Sequence, residues 1–317
     1  MKVKIWTALI TVYIVWGSTY LAIRFAIETM PPFLMAAVRF LIAGILLYSW
    51  QRLVKNPAPT KKQWRSAAIV GIFLLLGGNG GVVWAEQHVP SGVAALMVGT
   101  APLWMVIIDA IRPGGKRPGW QTVCGVLVGF AGITILIGPA ELTGQGGASG
   151  SATFDSLGII ALLLAAFFWA IGSLYSRKAC LPDSPLLGTG MEMLVGGAGL
   201  LVAGTLTGEW SRLILADIST NSFLGLAYLV FFGALVGFAA YTWLLRVAPT
   251  PLVSTYAYVN PLIAIFLGNL LAHELLTPRI LISALIILSS VALINTSHSA
   301  KPKSTAAYQS PSSCRDD

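Results

Sequence analysis

The sequence predicts an all-α membrane protein of ten transmembrane helices, built from two inverted five-helix repeats. Three observations predict it. Apolar residues run in continuous blocks near the ~20 residues a helix needs to cross a bilayer. Lysine and arginine gather on one side of the layout those blocks impose. Tryptophan, glycine and proline spacings of the first half recur in the second.

Composition rules out a water-soluble chain. Hydrophobic residues make up 56% and charged residues 10%, against about 25% charged in a soluble domain. So little charge cannot coat one or two soluble domains of a 317-residue chain. Inside lipid every backbone N–H and C=O needs a partner within the element, which leaves helices and closed barrels. Barrel strands alternate over about ten residues; these blocks are longer and continuous, so they are helices. The net charge of +8 sits in short loops between the blocks, where topology accounts for it, so no nucleic-acid partner is expected. Cys124, Cys180 and Cys314 are scattered, without the spacing of a metal site or disulfide framework. No cofactor or metal is expected. Lys2 and Lys4 precede an apolar run that continues into Trp16 and Tyr20, and no small-residue cleavage site follows. The run reads as a retained first span.

The spans fall at 6–27, 31–48, 66–85, 92–111, 120–137, 157–175, 186–206, 223–244, 252–272 and 280–295. Breakers separate them, among them Pro31-Pro32, Pro57 and Pro59, Pro113, Pro139, Pro182, Pro249 and Pro278. With the N-terminus in the cytoplasm, 16 of the 20 Lys and Arg face that side. Arg24, Arg212 and Arg279 face the other side, and Arg39 lies within a span. This predicts cytoplasmic N- and C-termini in a multi-pass protein of the inner (plasma) membrane. The domains expected are a first repeat at 5–138, a flexible Gly/Ser-rich periplasmic linker at 139–156, a second repeat at 157–296 and a disordered cytoplasmic tail at 297–317.

The repeat is legible in two registers. A shift of 153 carries Trp16 onto Trp169, Arg24 onto Arg177, Pro32 onto Pro185, Arg39 onto Glu192 and Gly44 onto Gly197. A shift of 159 carries Gly78 onto Gly237, Trp84 onto Trp243, Pro90 onto Pro249 and Pro102 onto Pro261. Five spans per half is an odd number, so the second copy inserts upside down. Such inverted repeats build alternating-access transporters with a midplane site.

The same residues carry a family resemblance. Trp16-Gly17-Ser18-Thr19-Tyr20, Pro31-Pro32, Arg39-Phe40, the run from Ala85 to Gly92 and the run from Tyr256 to Pro261 resemble the EamA family of the drug/metabolite transporter superfamily. The likeness covers about residues 6–296 and departs in the Gly-rich loop and the tail. It implies two EamA repeats, ten helices, and export of metabolites or drug-like compounds.

Several residues are candidates for the chemistry. Arg39 and Glu192 each lie about 10–12 Å below their own surface by helical rise, and intramembrane charges face a cavity or a partner. Two readings stand: a permanent Arg39–Glu192 ion pair, or a solute cavity in which Arg39 attracts a carboxylate and Glu192 binds an amine or a proton. Trp16, Ser18 and Thr19 lie mid-span 1. Asn79 lies within Gly77-Gly78-Asn79-Gly80-Gly81, a stretch suited to close packing or to a hinge. It lacks the ending of a phosphate-binding loop. Tyr256, Tyr258 and Asn260 precede Pro261 and offer hydrogen bonds and aromatic faces; Tyr258 and Asn260 cannot share one helical face. Glu86 is either an exposed or capping acid or a candidate gate.

The function expected is secondary transport, as an exporter of small metabolites, amino-acid-like or drug-like solutes. Proton coupling and solute exchange are both open. A solute channel would show a continuous polar stripe, and a membrane-embedded enzyme would show clustered His, Asp or Arg at one interface; these are the alternatives. The partners expected are a small organic solute, protons as a candidate coupling ion, and the bilayer. The oligomeric state is not legible.

Overall fold

The computed structural model describes residues 2–112, 118–137, 155–248, 250–253 and 255–299. Among them every regular element is helical. In chain order these are α1 (Lys2–Ala26), α2 (Pro32–Leu53), α3 (Lys61–Ala85), α4 (Ser91–Ile111), α5 (Trp120–Ile137), α6 (Ser156–Ser176), α7 (Pro185–Leu206), α8 (220–247), α9 (Tyr256–Ala272) and α10 (Pro278–Ser299). Eight are long and apolar enough to cross a membrane by length and composition; α9 and the apolar part of α10, Pro278–Ile294, are shorter.

The helix starts follow local rules. Pro32 and Pro185 open α2 and α7, where a missing N–H costs nothing. Thr60 and Gln63 form a reciprocal capping box at α3. The N-terminus of α2 is capped from far along the chain: the Glu209 carboxylate accepts from the N–H of Phe33 at 3.2 Å and Leu34 at 2.8 Å. Glu274 does the same for α4, accepting from Ser91 N–H at 2.7 Å and Gly92 N–H at 3.2 Å. Both satisfy otherwise orphan donors and place negative charge at a positive helix end.

Three helices depart from regular α geometry. α3 contains a π-helical run at Ile72–Asn79, and α8 contains one at Leu229–Val236. α4 breaks at Gly99-Thr100, just before Pro102. The ninth span was expected from residue 252. Instead the chain makes a single turn at Thr250–Val253 and α9 begins at Tyr256. α10 runs to Ser299, past the expected start of the tail. The remainder of the tail and most of the linker lie outside the described residues.

The packing pairs α2 with α7, α5 with α10, α1 with α9, and α3 with α6. At the α2–α7 crossing a Cβ on Gly44 would lie 2.9 Å from the Leu194 nitrogen, and one on Gly197 would lie 3.0 Å from the Leu41 nitrogen. A Cβ on Gly190 would lie 3.0 Å from the Tyr48 nitrogen. Small residues let the backbones touch, the usual device for helix association in lipid. As the contact moves up one helix it moves down the other, so the two run antiparallel. Leu41 and Gly44 also map onto Leu194 and Gly197 by the 153-residue shift, so the contact is reciprocal.

Phe40, Leu96, Leu103, Leu162, Met193 and Leu200 are among the fully buried core side chains. The outward faces are also apolar, with Ile14, Leu164, Phe231 and Leu285 exposed. That is the pattern of a surface in contact with hydrocarbon.

Candidate functional site

The helices enclose a cavity of roughly 150 Å³. One face of α1 supplies Trp16, Thr19, Tyr20 and Ile23, the i, i+3, i+4, i+7 pattern of a single helical stripe. α2 supplies Arg39 and Phe40, α3 Gly78 and Asn79, α4 Pro102, α6 Trp169, α8 Gly233, and α9 Tyr256, Asn260 and Pro261. Trp169 is the repeat equivalent of Trp16, and Pro261 of Pro102. The repeat signature thus converges on one cavity.

Local bonding fixes these side chains. The Trp16 indole N–H donates to the Gly233 carbonyl at 3.2 Å, and Thr19 Oγ1 donates to the Trp16 carbonyl at 2.6 Å. The Trp16 ring meets Phe238, Tyr241 and Tyr256 with centroids 5.2, 5.0 and 5.3 Å away. Such aromatic packing is rigid and oriented. Asn79 Nδ2 reaches the Leu74 carbonyl, within the π run, at 3.4 Å. The Arg39 guanidinium lies 4.7 Å from the Phe40 ring centroid, within cation–π range.

The polar balance of the cavity is uneven. Arg39 is 4% exposed, and its Nε and Nη1 have no hydrogen-bond partner among the described residues. Asn260 is 8% exposed, with Oδ1 likewise unpartnered. No Asp or Glu lines the cavity among the described residues.

Six of the residues singled out from sequence meet here: Trp16, Thr19, Arg39, Asn79, Tyr256 and Asn260. Three others do not. Ser18 points to α8, with its hydroxyl 2.7 Å from the Tyr228 hydroxyl and 2.6 Å from the Ile14 carbonyl to which it donates. Tyr258 faces α10 and donates to the Val291 carbonyl at 3.2 Å. Glu192 is half-buried on α7, its backbone carbonyl against Gly71 of α3.

The permanent Arg39–Glu192 ion pair is not formed: among the described residues neither belongs to a salt bridge. The α2–α7 register explains why. It sets Arg39 level with residue 199, seven residues from Glu192, or about 10 Å along the axis.

Glu86 corrects another expectation. It lies in the turn after α3 and is fully buried, not exposed, and neither carboxylate oxygen has a hydrogen-bond partner among the described residues. Arg24 Nη1 donates to its backbone carbonyl at 3.0 Å. Burial, followed by the nearby Glu274 carboxylate, pushes the Glu86 carboxyl well above the usual range; Arg24 and Arg39 pull the other way. The glycine run at 77–81 both packs and lines: a Cβ on Gly77 or Gly81 would strike Phe168 or Ala165 of α6 at 2.9 Å, while Gly78 and Asn79 reach the cavity. Tyr20, Trp169 and Gly233 were not among the site residues expected. Tyr20 is one turn from Trp16, and the repeat shift points to Trp169; nothing in the sequence marks Gly233.

Apolar helices wrapped around an internal cavity with a few polar groups define a multi-span membrane protein with a solute-sized site, the architecture of a transporter. The chain belongs to the EamA-like transporter family, whose model matches residues 4–138 and 156–296. It is therefore a membrane transporter, not an enzyme. It is 38% identical over 271 residues to the uncharacterized inner membrane transporter YedA of Escherichia coli K12, covering 85% of this chain and 83% of that one. It is 27% identical to protein PecM of Dickeya dadantii, covering 91% and 93%. It is also 26% identical to a chloroplastic WAT1-related protein of Arabidopsis thaliana, covering 92% and 69%. A solved crystal structure superposes with a TM-score of 0.59 at 20% identity, over 90% of this chain and 94% of that one; a likeness at that identity speaks for the fold alone.

Proposed function

We propose that this chain is a secondary transporter that exports small organic solutes across the inner membrane by alternating access. In this reading all ten helices cross the bilayer. Residues 5–138 and 157–296 form two oppositely inserted five-helix repeats, joined by the linker 139–156. The N-terminus and the tail 297–317 face the cytoplasm. The solute sits against Trp16, Thr19, Arg39, Asn79, Tyr256 and Asn260. Glu192 is the candidate coupling carboxyl, since it lies within a span and has no salt-bridge partner among the described residues.

The observation that carries the reading is the reciprocal contact of α2 with α7. Gly44 meets Leu194 and Leu41 meets Gly197, so the 153-residue shift exchanges the two sides of one crossing. A twofold relation between antiparallel helices needs an axis perpendicular to them, which in a membrane lies in the bilayer plane. Two halves so related can exchange conformations and present one site to either side. The bias of Lys and Arg supports the orientation. Export rests on the family resemblance.

Two experiments test this. Cysteine accessibility at position 61 and at tags on both termini should report the cytoplasm for all three; a terminus on the opposite side from the other would end the inverted-repeat reading. In proteoliposomes, solute trapped inside should accelerate uptake of the same labelled solute, with saturation. Flux that neither saturates nor responds to trapped solute would favour a channel.

A further inference from the structure

We propose that the cavity selects organic acids: a small solute with one carboxylate held by Arg39, a hydroxyl or amine N–H offered to Asn260, and an apolar ring against Trp16 and Trp169. This rests on the transport reading above and names the solute class for the same site.

The argument begins with charge. Arg39 is buried on a helix that crosses the membrane, and its Nε and Nη1 have no protein acceptor among the described residues. A buried cation without a counterion is expensive, and intramembrane charges are found where a partner is supplied. The protein does not supply one at close range: Arg39 belongs to no salt bridge among the described residues, and no acid lines the cavity. Glu86 acts on Arg39 only through space. The guanidinium fork matches a carboxylate in geometry and charge. A cationic solute would meet Arg39 with no carboxylate on the wall to offset the repulsion.

The second anchor has the opposite sense. Asn260 Oδ1 is an unpartnered acceptor, so the solute group that meets it must carry an N–H or O–H. Trp16 and Trp169, related by the repeat, give the remaining wall an aromatic character suited to a ring. Donor, acceptor and aromatic surface thus call for a carboxylate, a neighbouring donor and a ring in one small molecule.

The test uses three probes of nearly equal shape with the purified full-length protein in nanodiscs. These are 3-phenyllactate, the neutral 3-phenyl-1,2-propanediol and the cationic phenylalaninol. Quenching of tryptophan fluorescence reports binding. Phenyllactate should saturate at concentrations at least about tenfold lower than either analogue. Arg39→Gln should abolish that preference, and Arg39→Lys should restore part of it. The ranking in the unsubstituted protein decides the matter even if an Arg39 variant fails to fold. Equal or tighter binding of the diol or the amine overturns the proposal, as does no saturable response to millimolar phenyllactate. The transport reading fails separately: binding of phenyllactate without saturable flux in proteoliposomes removes transport and leaves the acid-selective site, whereas equal flux of acid and diol removes selectivity and leaves transport.

Discussion

Trp16 rests directly on Gly237, its indole nitrogen filling the space a Cβ at 237 would need. The repeat-related pair does the same: a Cβ on Gly78 would lie 3.0 Å from the Trp169 ring. Each half of the chain thus lends a tryptophan to a glycine of the other half.

That contact yields the first expected outcome. Gly237→Ala should destabilise the protein by about 1–3 kcal/mol, because the added methyl drives a packed ring off its rotamer. Adding Trp16→Phe should recover part of the loss. A double-mutant cycle on thermal unfolding in detergent measures the coupling, and strictly additive effects would contradict the contact.

The α2–α7 crossing predicts matched losses. Gly44→Ala and Gly197→Ala each push a methyl into the partner's backbone nitrogen, which cannot rotate away. Each should cost about 1–3 kcal/mol, and the two values should be similar because the contact is reciprocal. Gly188, whose nearest neighbour to an added Cβ is 3.7 Å away, is the control. Gly188→Ala should be neutral or stabilising by up to about 1 kcal/mol.

The sequence conveyed depth well and azimuth poorly. Span ends, breakers and the basic bias depend on local composition, so eight long helices lie close to where the blocks placed them. The roughly 10 Å offset between Arg39 and Glu192 comes from the α2–α7 register, which the structure supplies. Which way each faces depends on neighbour order, which periodicity does not encode in helices that are apolar all round. Tyr256 and Asn260, four apart, share the cavity, and Tyr258 between them turns to α10 as the spacing required. The expectation of an exposed Glu86 failed because its surroundings, Glu274 and Arg24 among them, come from far away in the chain. The π-helical runs left no trace beyond glycines that also suit ordinary packing.

Glu86 makes stability depend on pH. Its native carboxyl binds its proton well above the usual carboxylate range, chiefly through burial and then through Glu274. Between the ordinary value and the raised one, the native state holds a proton that the unfolded chain has released. Stability therefore falls as pH rises through that window, by up to about 1.4 kcal/mol per unit. Glu86→Gln removes this dependence and should unfold at a higher temperature than the parent at alkaline pH. Melting curves from pH 5 upward that run parallel for the two proteins would refute it.

Glu209 predicts a graded effect at the N-terminal end of α2. Glu209→Gln keeps an acceptor but loses the charge, and should cost about 1 kcal/mol. Glu209→Ala leaves the N–H groups of Phe33 and Leu34 without their acceptor and should cost about 2–3 kcal/mol. Hydrogen exchange at those two amides should quicken in the same order.

The wide turns at Ile72–Asn79 and Leu229–Val236 bear on how the chain tolerates changes of length. A helix that closes its bonds five residues back has room to surrender one residue and tighten to the ordinary spiral. Excising a single position from the earlier stretch would be absorbed as the coil tightens, so that all that follows keeps nearly its facing, whereas the same cut in an ordinary stretch would swing it by about 100° around the rod. Val82, which lines the cavity beyond that stretch, would still reach it. The later stretch would do the same for whatever follows Gly233. Each of these two loosely wound turns holds a spare residue, and so buffers the angular phase of its helix against a change of length.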